Sequence, residues 1–339
     1  MSRSPLVSVV IPTRNRAAPL GACLDAVSRQ TYPDFEVIVV DDGSTDSTPD
    51  VLARFAAGYP HVKLTPIRNE PQIGANPARN RGIERSAGEF VAFLDDDCVP
   101  AHDWLERLLG GFVSDRVAAV TGRVDNKPPA NVYELTLKGT QRVHGRTRAG
   151  RLVAGNMCVR RAQLMEFGFD EDRAGTSPDV TVSGRGDEEG LHLLLKASGY
   201  EQRVVHDAVV VHAHPHTRRT FYRQAYRGGA AAARLGYKYR LAPRVELVPL
   251  LAAYLTLPLA RQFRFGWFAP AVCAGFFLAA ILYNDLFRKM KTPYETFVTF
   301  PMLLAYYHAR LLGYAVQYVR LWLGLDRITR HPLHLAPRS

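Results

Sequence analysis

The sequence predicts an α/β fold: a mostly parallel sheet flanked by helices, followed by an apolar helical module. Three observations carry this reading. From residue 6 to about residue 125, short β-branched runs alternate with helical stretches, the pattern of a parallel sheet covered on both faces. Within that stretch the apolar run Phe90-Val91-Ala92-Phe93-Leu94 ends directly in Asp95-Asp96-Asp97, so a buried strand lifts three carboxylates to the rim of the sheet. After residue 216 the composition changes, first to arginine mixed with tyrosine and then to long apolar segments.

The expected strands are residues 7–11, 36–40, 62–66, 90–94 and 117–123. Residues 18–30 are expected to be helical because Leu20, Cys23, Leu24 and Val27 recur at three and four residues. Asp46-Ser47-Thr48-Pro49 caps a second helix over 50–57, with proline near its first turn. The order βαβαβ has the shape of a nucleotide-binding half. Further on, Lys127-Pro128-Pro129 breaks the pattern, 152–159 reads as a strand, and 187–197 reads as a short helix ending at Ser198-Gly199.

Composition bounds the function. A chain of 339 residues exceeds the usual size of one compact domain, so a main domain plus an appended module is the natural organisation. With 47 % hydrophobic residues it has the material for a substantial core, and disorder is excluded as its main state. The formal net charge of +11 calls for an anionic neighbour: nucleic acid, nucleotide sugar or phospholipid. Cys23, Cys98, Cys158 and Cys273 lie far apart with no zinc or disulfide spacing, which fits a reduced cytosolic setting. The first residues lead into an apolar run too short for a secretory signal, cut by Pro12. No internal repeat is visible, which sets solenoids aside.

The C-terminal third is read from charge and apolar length. Residues 217–244 interleave Arg218, Arg219, Arg223, Arg227, Arg234, Lys238, Arg240 and Arg244 with Phe221, Tyr222, Tyr226, Tyr237 and Tyr239. Apolar segments follow at 245–260, 266–283 and 297–325, the last broken by His308, Arg310, Gln317 and Arg320. A bilayer span needs about 20 largely apolar residues, so 266–283 is borderline and the others read as amphipathic or re-entrant. Basic residues just ahead of such segments favour the anionic, cytoplasmic leaflet, and the expectation is a region associated with the membrane from that side. A helical bundle packed on the main domain is the alternative.

Four local patterns stand in a fixed order. The first joins Pro12-Thr13-Arg14-Asn15 to Asp41-Asp42-Gly43-Ser44-Thr45-Asp46; side chains at the carboxyl ends of neighbouring parallel strands line one crevice, where Thr13 and Asp42 can address a base or ribose. The second, Gly74-Ala75-Asn76-Pro77-Ala78-Arg79-Asn80-Arg81-Gly82, brings arginines to a helix start, a chemistry suited to diphosphate. The third is the acidic triplet, whose hard oxygens suit a divalent cation. The fourth comprises Gly155-Asn156-Met157-Cys158-Val159-Arg160-Arg161, Gly168-Phe169-Asp170-Glu171 and Gly186-Asp187-Glu188-Glu189-Gly190-Leu191. His212, His214 and His216 invite a zinc reading, but Pro215 interrupts them and no acidic fourth ligand is near.

Taken in order, these motifs resemble family 2 glycosyltransferases over roughly residues 6 to 230. The resemblance implies a GT-A fold, Rossmann-like, with 1–125 as the nucleotide-sugar-binding half, 126–216 as the acceptor-binding half, 217–244 as a basic aromatic helical segment and 245–339 as a membrane-associated helical region. It implies a Mg²⁺ or Mn²⁺ cofactor and a nucleoside-diphosphate sugar donor. Carried over residue by residue, Pro12, Thr13, Asn15, Asp42, Asn76, Arg79, Asp95 and Asp96 are expected at the donor, and Asp97 at the metal with Asp95 and with His212 or His214. Asn156 and Glu189 are expected at the acceptor. The family's catalytic base falls on Glu188 beside Asp187, in swapped identity relative to the family's usual acidic order, with Glu189 as rival.

The reaction so implied moves a sugar, with inversion, from donor to a hydroxyl of a lipid-linked or cell-surface glycan, at the cytoplasmic face of the cell membrane. Two other classes stay open at this point. One is a nucleic-acid binder using the basic aromatic segment; the acidic triplet argues against it, and no nucleic-acid partner is expected. The other is a non-catalytic nucleotide-sugar binder, kept alive by the Asp187-Glu188 order.

Overall fold

Val7–Thr13 forms β1, wholly buried, in the middle of one eight-stranded sheet of the computed structural model. The structure describes residues 5–142, 152–171, 188–212, 217–241, 248–258, 262, 267–283, 292–326 and 328. These group into two compact units: 5–127 with 152–212, and 128–142 with 217–328.

In the first unit β1 is followed by α1 (Ala17–Val27), β2 (Phe35–Asp41), α2 (Thr48–Gly58), β3 (Lys63–Arg68), α3 (Ala75–Arg85) and β4 (Phe90–Leu94). Then come β5 (Cys98–Pro100), α4 (Trp104–Leu109), β6 (Val117–Asn126), β7 (Asn156–Arg160), α6 (Arg161–Phe167), α7 (Glu189–Ala197) and β8 (Glu201–His212), with α5 (Val132–Arg142) of the second unit between β6 and β7. The sheet order is β3-β2-β1-β4-β7-β6-β8-β5. β1 through β4 run parallel, as the alternating pattern requires, whereas β7 is antiparallel to both β4 and β6, and β5 is antiparallel to β8. The result is a mixed sheet with a parallel half. Helices lie between the antiparallel partners as well as between the parallel ones, so the alternating pattern in the sequence does not betray strand direction here.

Apolar side chains of the inner strands alternate between two cores. Val7, Val9, Ile11, Val37 and Val39 join Leu20, Cys23, Leu24 and Val27 of α1 on one face; Val10, Ile38, Val40, Val91 and Phe93 join Ala78 and Ile83 of α3 on the other. This is why the strands read as unbroken apolar runs. One polar network crosses the core near the amino ends of these strands: Glu36, 2 % exposed, accepts from Ser8 Oγ and Ala87 N, both at 2.8 Å, and pairs with Lys63.

The expected elements shift at their edges. The strand expected over 62–66 lies at Lys63–Arg68, and the one expected over 152–159 starts only at Asn156, because Leu152 and Ala154 pack in the core from a turn. The helix expected over 187–197 is described from Glu189; Asp187 lies outside the described residues, as do His214 and His216.

In the second unit the basic aromatic stretch is α8 (Arg218–Tyr239), started by a reciprocal Thr217/Thr220 cap. α9 (Val248–Thr256), α10 (Phe268–Tyr283) and α11 (Pro293–Trp322) follow. Leu250 of α9, Phe277 and Ile281 of α10, and Leu303 and Leu311 of α11 pack together; Leu137 of α5 packs with Phe221, Ala225 and Tyr306. None of the described helices is long and apolar enough to cross a membrane. The 16 residues of α10 reach only about 24 Å, short of the roughly 30 Å hydrocarbon core.

Candidate active site

Parallel pairing of β1 with β2 and with β4 brings the carboxyl ends of all three strands to one edge of the sheet. Such an edge is where ligands enter open α/β sheets. Thr13, Asp41–Asp42 and Asp95–Asp97 stand there as the last residues of these strands or the first beyond them.

The triplet divides. Asp96 and Asp97, 7 % and 6 % exposed, turn toward the turn between β1 and α1. Thr13 Oγ1 donates to Asp96 Oδ2 at 2.7 Å. Arg16, the residue before α1, spans both acids: its Nε lies 3.0 Å from Asp96 Oδ1, and its Nη2 donates a short hydrogen bond to Asp97 Oδ2. Asp95 turns the other way and accepts from Arg79 Nη2 at 3.0 Å. Its carboxylate lies against the backbone of Gly155, where a Cβ would stand 2.5 Å from Asp95 Oδ2, so any side chain there would push the Asp95 carboxylate aside.

His212 arrives through topology. β5 begins right behind the triplet and pairs antiparallel with β8, with Cys98 opposite His212. That register sets His212 Nε2 2.8 Å from Asp97 Oδ1, across 115 residues of chain.

These contacts shift the acids and the imidazole. Burial pushes Asp96 up to about 7; Arg16 and the Thr13 hydroxyl pull against it, while Asp97 and Asp95 add to it. For His212 burial works against the charged ring, but the bond to Asp97 and its charge prevail and the imidazole is raised. Burial and the neighbouring carboxylates push the Cys98 thiol well above its ordinary range, so it stands as a neutral sulfhydryl.

The donor set fits a divalent cation. Asp97, Cys98 and His212 offer ligand atoms all within 4.8 Å of one another. A carboxylate and an imidazole beside a neutral thiol suit Mg²⁺ or Mn²⁺ better than the thiolate chemistry of structural zinc. Asp97 and His212 would hold the ion, with Asp96 and Asp95 adjacent.

The other expected donor residues sit around this centre in differing states. Pro12 is buried within β1. Asn15 adopts a left-handed backbone, φ 51°, and accepts from Thr45 N at 2.7 Å, tying the turn after β1 to the turn after β2. Asp42 is fully buried and takes three donors from one loop: Asn69 Nδ2 at 2.9 Å, Ile73 N at 2.8 Å and Gly74 N at 2.9 Å. Gly74 needs φ +103° to turn its N–H inward, a backbone that glycine adopts without a side-chain clash. Asn76 donates to Asp170 O at 2.8 Å and accepts from Arg79 Nη1 at 3.2 Å. Arg79 is 2 % exposed, with its guanidinium 5.6 Å over the Phe169 ring, so it braces Asp95 from within the core.

Of the residues expected at the acceptor and base, Asn156 is fully buried as the first residue of β7. Its Oδ1 accepts from Trp104 Nε1 at 2.8 Å, and its Nδ2 donates to Arg123 O at 2.9 Å and Ala208 O at 3.0 Å. The amide is thus engaged inside the sheet and ties β7 to β6, β8 and α4. Glu188 precedes α7 and Glu189 opens it, both half-buried.

Sequence reasoning missed Arg16, Asn69 and Trp104. Arg16 had a signal: a cation three residues past Thr13, in the turn that follows the strand next to the one that carries the acids. Asn69 and Trp104 had none, since their roles depend on which loops the fold closes against Asp42 and Asn156.

Known proteins resemble this chain over part of its length. Residues 8–162 match the model of the family described as Glycosyl transferase family 2. The chain is 42 % identical over 126 residues to glycosyltransferase AglE of Haloferax volcanii, covering 37 % of this chain and 41 % of that one. It is 41 % identical over 106 residues to a PGL/p-HBAD biosynthesis glycosyltransferase of Mycobacterium bovis, covering 31 % of this chain and 41 % of that one. The chain thus spans less than half the length of these curated relatives. Among solved structures, a mannosyltransferase from Pyrobaculum calidifontis in complex with GDP-Man and Mn²⁺ matches with TM-score 0.60 and 24 % identity, over 94 % of this chain and 88 % of that one. That likeness is one of fold, the expected GT-A fold. Residues 8–162, which hold β1 through β4 and the acidic triplet, are thus similar to glycosyl transferase family 2.

Proposed function

We propose that this protein transfers a sugar from a nucleoside-diphosphate donor to a hydroxyl of a lipid-linked or cell-surface glycan, with inversion at the anomeric carbon. The observation that carries the reading is the convergence of Asp96, Asp97 and His212 at the carboxyl edge of the parallel strands, within hydrogen-bonding reach of Thr13 and Arg16.

Asp97 and His212 hold Mg²⁺ or Mn²⁺, which when bound would offset the charge that develops on the departing diphosphate. Thr13 at the end of β1 and Asn15 in the turn after it orient the base and ribose together with the loop that Asp42 holds. Asp95, fixed by Arg79 and Gly155, takes a ribose hydroxyl. Glu188 removes the proton of the acceptor hydroxyl, so that a single displacement from the face opposite the leaving group inverts the centre. Asp187 and Glu189 flank it, and His214 is a second histidine for the donor phosphates. The division into a donor half over 1–125 and an acceptor half over 126–216 follows from these roles.

A peripheral place on the cytoplasmic face of the cell membrane belongs to the same reading. Its support is a net charge of +11 together with large side chains left exposed in the second unit, among them Trp267, Phe268, Phe276, Phe297 and Trp322. Such residues anchor a protein at a bilayer surface without a span.

A panel of nucleotide sugars screened by thermal shift with Mn²⁺ tests the donor, since a ligand of the native state raises its melting point. One nucleotide class is expected to raise it, and only with the metal present. A panel in which no nucleotide sugar shifts the melt, with or without metal, would sink the assignment. Cosedimentation with anionic vesicles tests the membrane part.

A further inference from the structure

We infer that Arg16 is an internal counter-cation that competes with the divalent metal for Asp96 and Asp97 and is handed to the donor's diphosphate when metal and donor bind together. The inference rests on the reading of the site as metal-dependent.

Two adjacent carboxylates, each less than a tenth exposed, cannot both stay charged without a cation. Arg16 is that cation: one guanidinium touches an oxygen of each acid. It touches the same Asp97 whose other oxygen bonds His212, so the oxygens a metal would take are already engaged by the protein. A dication on Asp97 places two positive centres within a few ångströms, and the guanidinium is driven off.

Arg16 is built to leave. Its contact with Asp96 lacks the alignment of a hydrogen bond, so its buried Nε–H has no acceptor among the described residues. Its side chain is 21 % exposed against 9 % and 5 % for the two acids, and it springs from the residue before α1 rather than from the core. Arg79 is the contrast. At 2 % exposure, engaged with Asp95 and Asn76 and stacked over Phe169, it is not placed to follow a ligand. A guanidinium displaced from two carboxylates needs another anion, and its fork of donors matches phosphate oxygens. The diphosphate supplies it.

This makes Arg16 a positioning residue with effects of opposite sign in two states. Without nucleotide it opposes metal binding; with nucleoside diphosphate it favours metal and nucleotide together, and the coupling is reciprocal. Mn²⁺ binding to the full chain, followed by electron paramagnetic resonance with and without GDP or UDP, reads both arms. Arg16→Ala is expected to bind Mn²⁺ about tenfold more tightly without nucleotide, and the factor by which nucleotide tightens Mn²⁺ binding is expected to fall at least about fivefold. Arg16→Lys, which keeps the charge and loses the fork, should move both quantities the same way by a smaller factor.

A residue that only braces the fold would weaken metal binding in both arms. Unchanged or weaker donor-free Mn²⁺ binding in folded Arg16→Ala therefore overturns the inference. If Arg16→Ala does not fold, the lysine variant decides by the same criterion. Should wild type take up Mn²⁺ with nucleotide while the variants match it, this inference alone falls. Should wild type take up no Mn²⁺ at all, the metal-dependent reading falls with it.

Discussion

Two clusters of aspartates stand at neighbouring strand ends, Asp41–Asp42 after β2 and Asp95–Asp97 after β4, and they are alike in sequence but not in surroundings. The first is closed mainly by backbone and short side chains, with one half-exposed arginine, Arg68, at Asp41. Asp42 is filled by Asn69, Ile73 and Gly74, and Asp41 takes Ser44 N at 2.8 Å and Arg68 Nη1 at 2.7 Å. The second is held chiefly by long side chains, Arg16, Arg79 and His212, with one hydroxyl from Thr13. A carboxylate gripped by main-chain N–H groups belongs to the scaffold, because those donors have nowhere else to go. One gripped by side chains can exchange them for a ligand. The difference separates residues that shape the site from residues that change partners in it.

Substitution at Asp97 should give the largest effect on that comparison. Asp97→Asn keeps the shape and removes the charge, and transfer from the cognate donor with Mn²⁺ is expected to fall about 10³-fold in kcat/KM or more, about 4 kcal/mol of transition-state stabilisation. The fold should survive, since the substitution also relieves repulsion from Asp96. Unchanged turnover in a steady-state assay would remove Asp97 from the metal.

Asp42→Ala should do the reverse. It orphans two half-buried backbone N–H groups and the buried Asn69 amide, at about 1–3 kcal/mol each at most, so a loss of a few kcal/mol of stability is expected. Urea unfolding measures it, and hydrogen exchange should show the amides of Ile73 and Gly74 losing protection. Wild-type stability with impaired nucleotide affinity would instead make Asp42 a ligand residue like those of the second cluster.

How much of this was legible in the sequence follows the same divide. Strands β1, β2 and β4 and helices α1 and α2 could be read because continuous apolar runs and three-and-four spacing report burial directly. The triplet could be placed at a sheet edge because strand order follows from the βαβ pattern. The mixed half of the sheet could not, since β5, β6, β7 and β8 pair across gaps of tens of residues with no local turn to mark direction. His212 was named from its resemblance, but its reason for being there is the β5–β8 register, which no short motif encodes. Asn156 shows the opposite failure: a polar residue directly after Gly155 reads as exposed chemistry, yet Trp104 on α4 consumes its acceptor inside the core.

Glu36, at the opposite end of β2 from Asp41, tests whether a buried carboxylate with one main-chain N–H, one hydroxyl and one ammonium partner is structural. Burial alone would raise this acid, but Lys63, the Ala87 N–H and the Ser8 hydroxyl together outweigh burial and hold it below its ordinary value. A lowered folded pKa means stability that is present above the unfolded value, near 4.5, and lost as pH falls below it. Glu36→Gln should therefore cost about 1–2 kcal/mol at pH 7 and flatten the acid limb of the stability curve below pH 4.5. Parallel acid limbs for wild type and variant, from urea midpoints across pH 3 to 7, would show that the network is not coupled to charge.

The smallest effect is expected at Arg68, and it sharpens the contrast with Arg16. Both arginines bond an aspartate at the same edge of the sheet, but Arg68 is 43 % exposed and also faces Glu70, itself 70 % exposed, so water and salt screen the pair. Asp41 moreover keeps the Ser44 N–H when Arg68 is gone. Arg68→Ala is thus expected to leave the melting temperature and donor-free Mn²⁺ binding unchanged at physiological salt. If Arg68→Ala tightened Mn²⁺ as Arg16→Ala is expected to, loss of any positive charge at this edge would suffice. Contact of the guanidinium with Asp96 and Asp97 would then not be what opposes the metal.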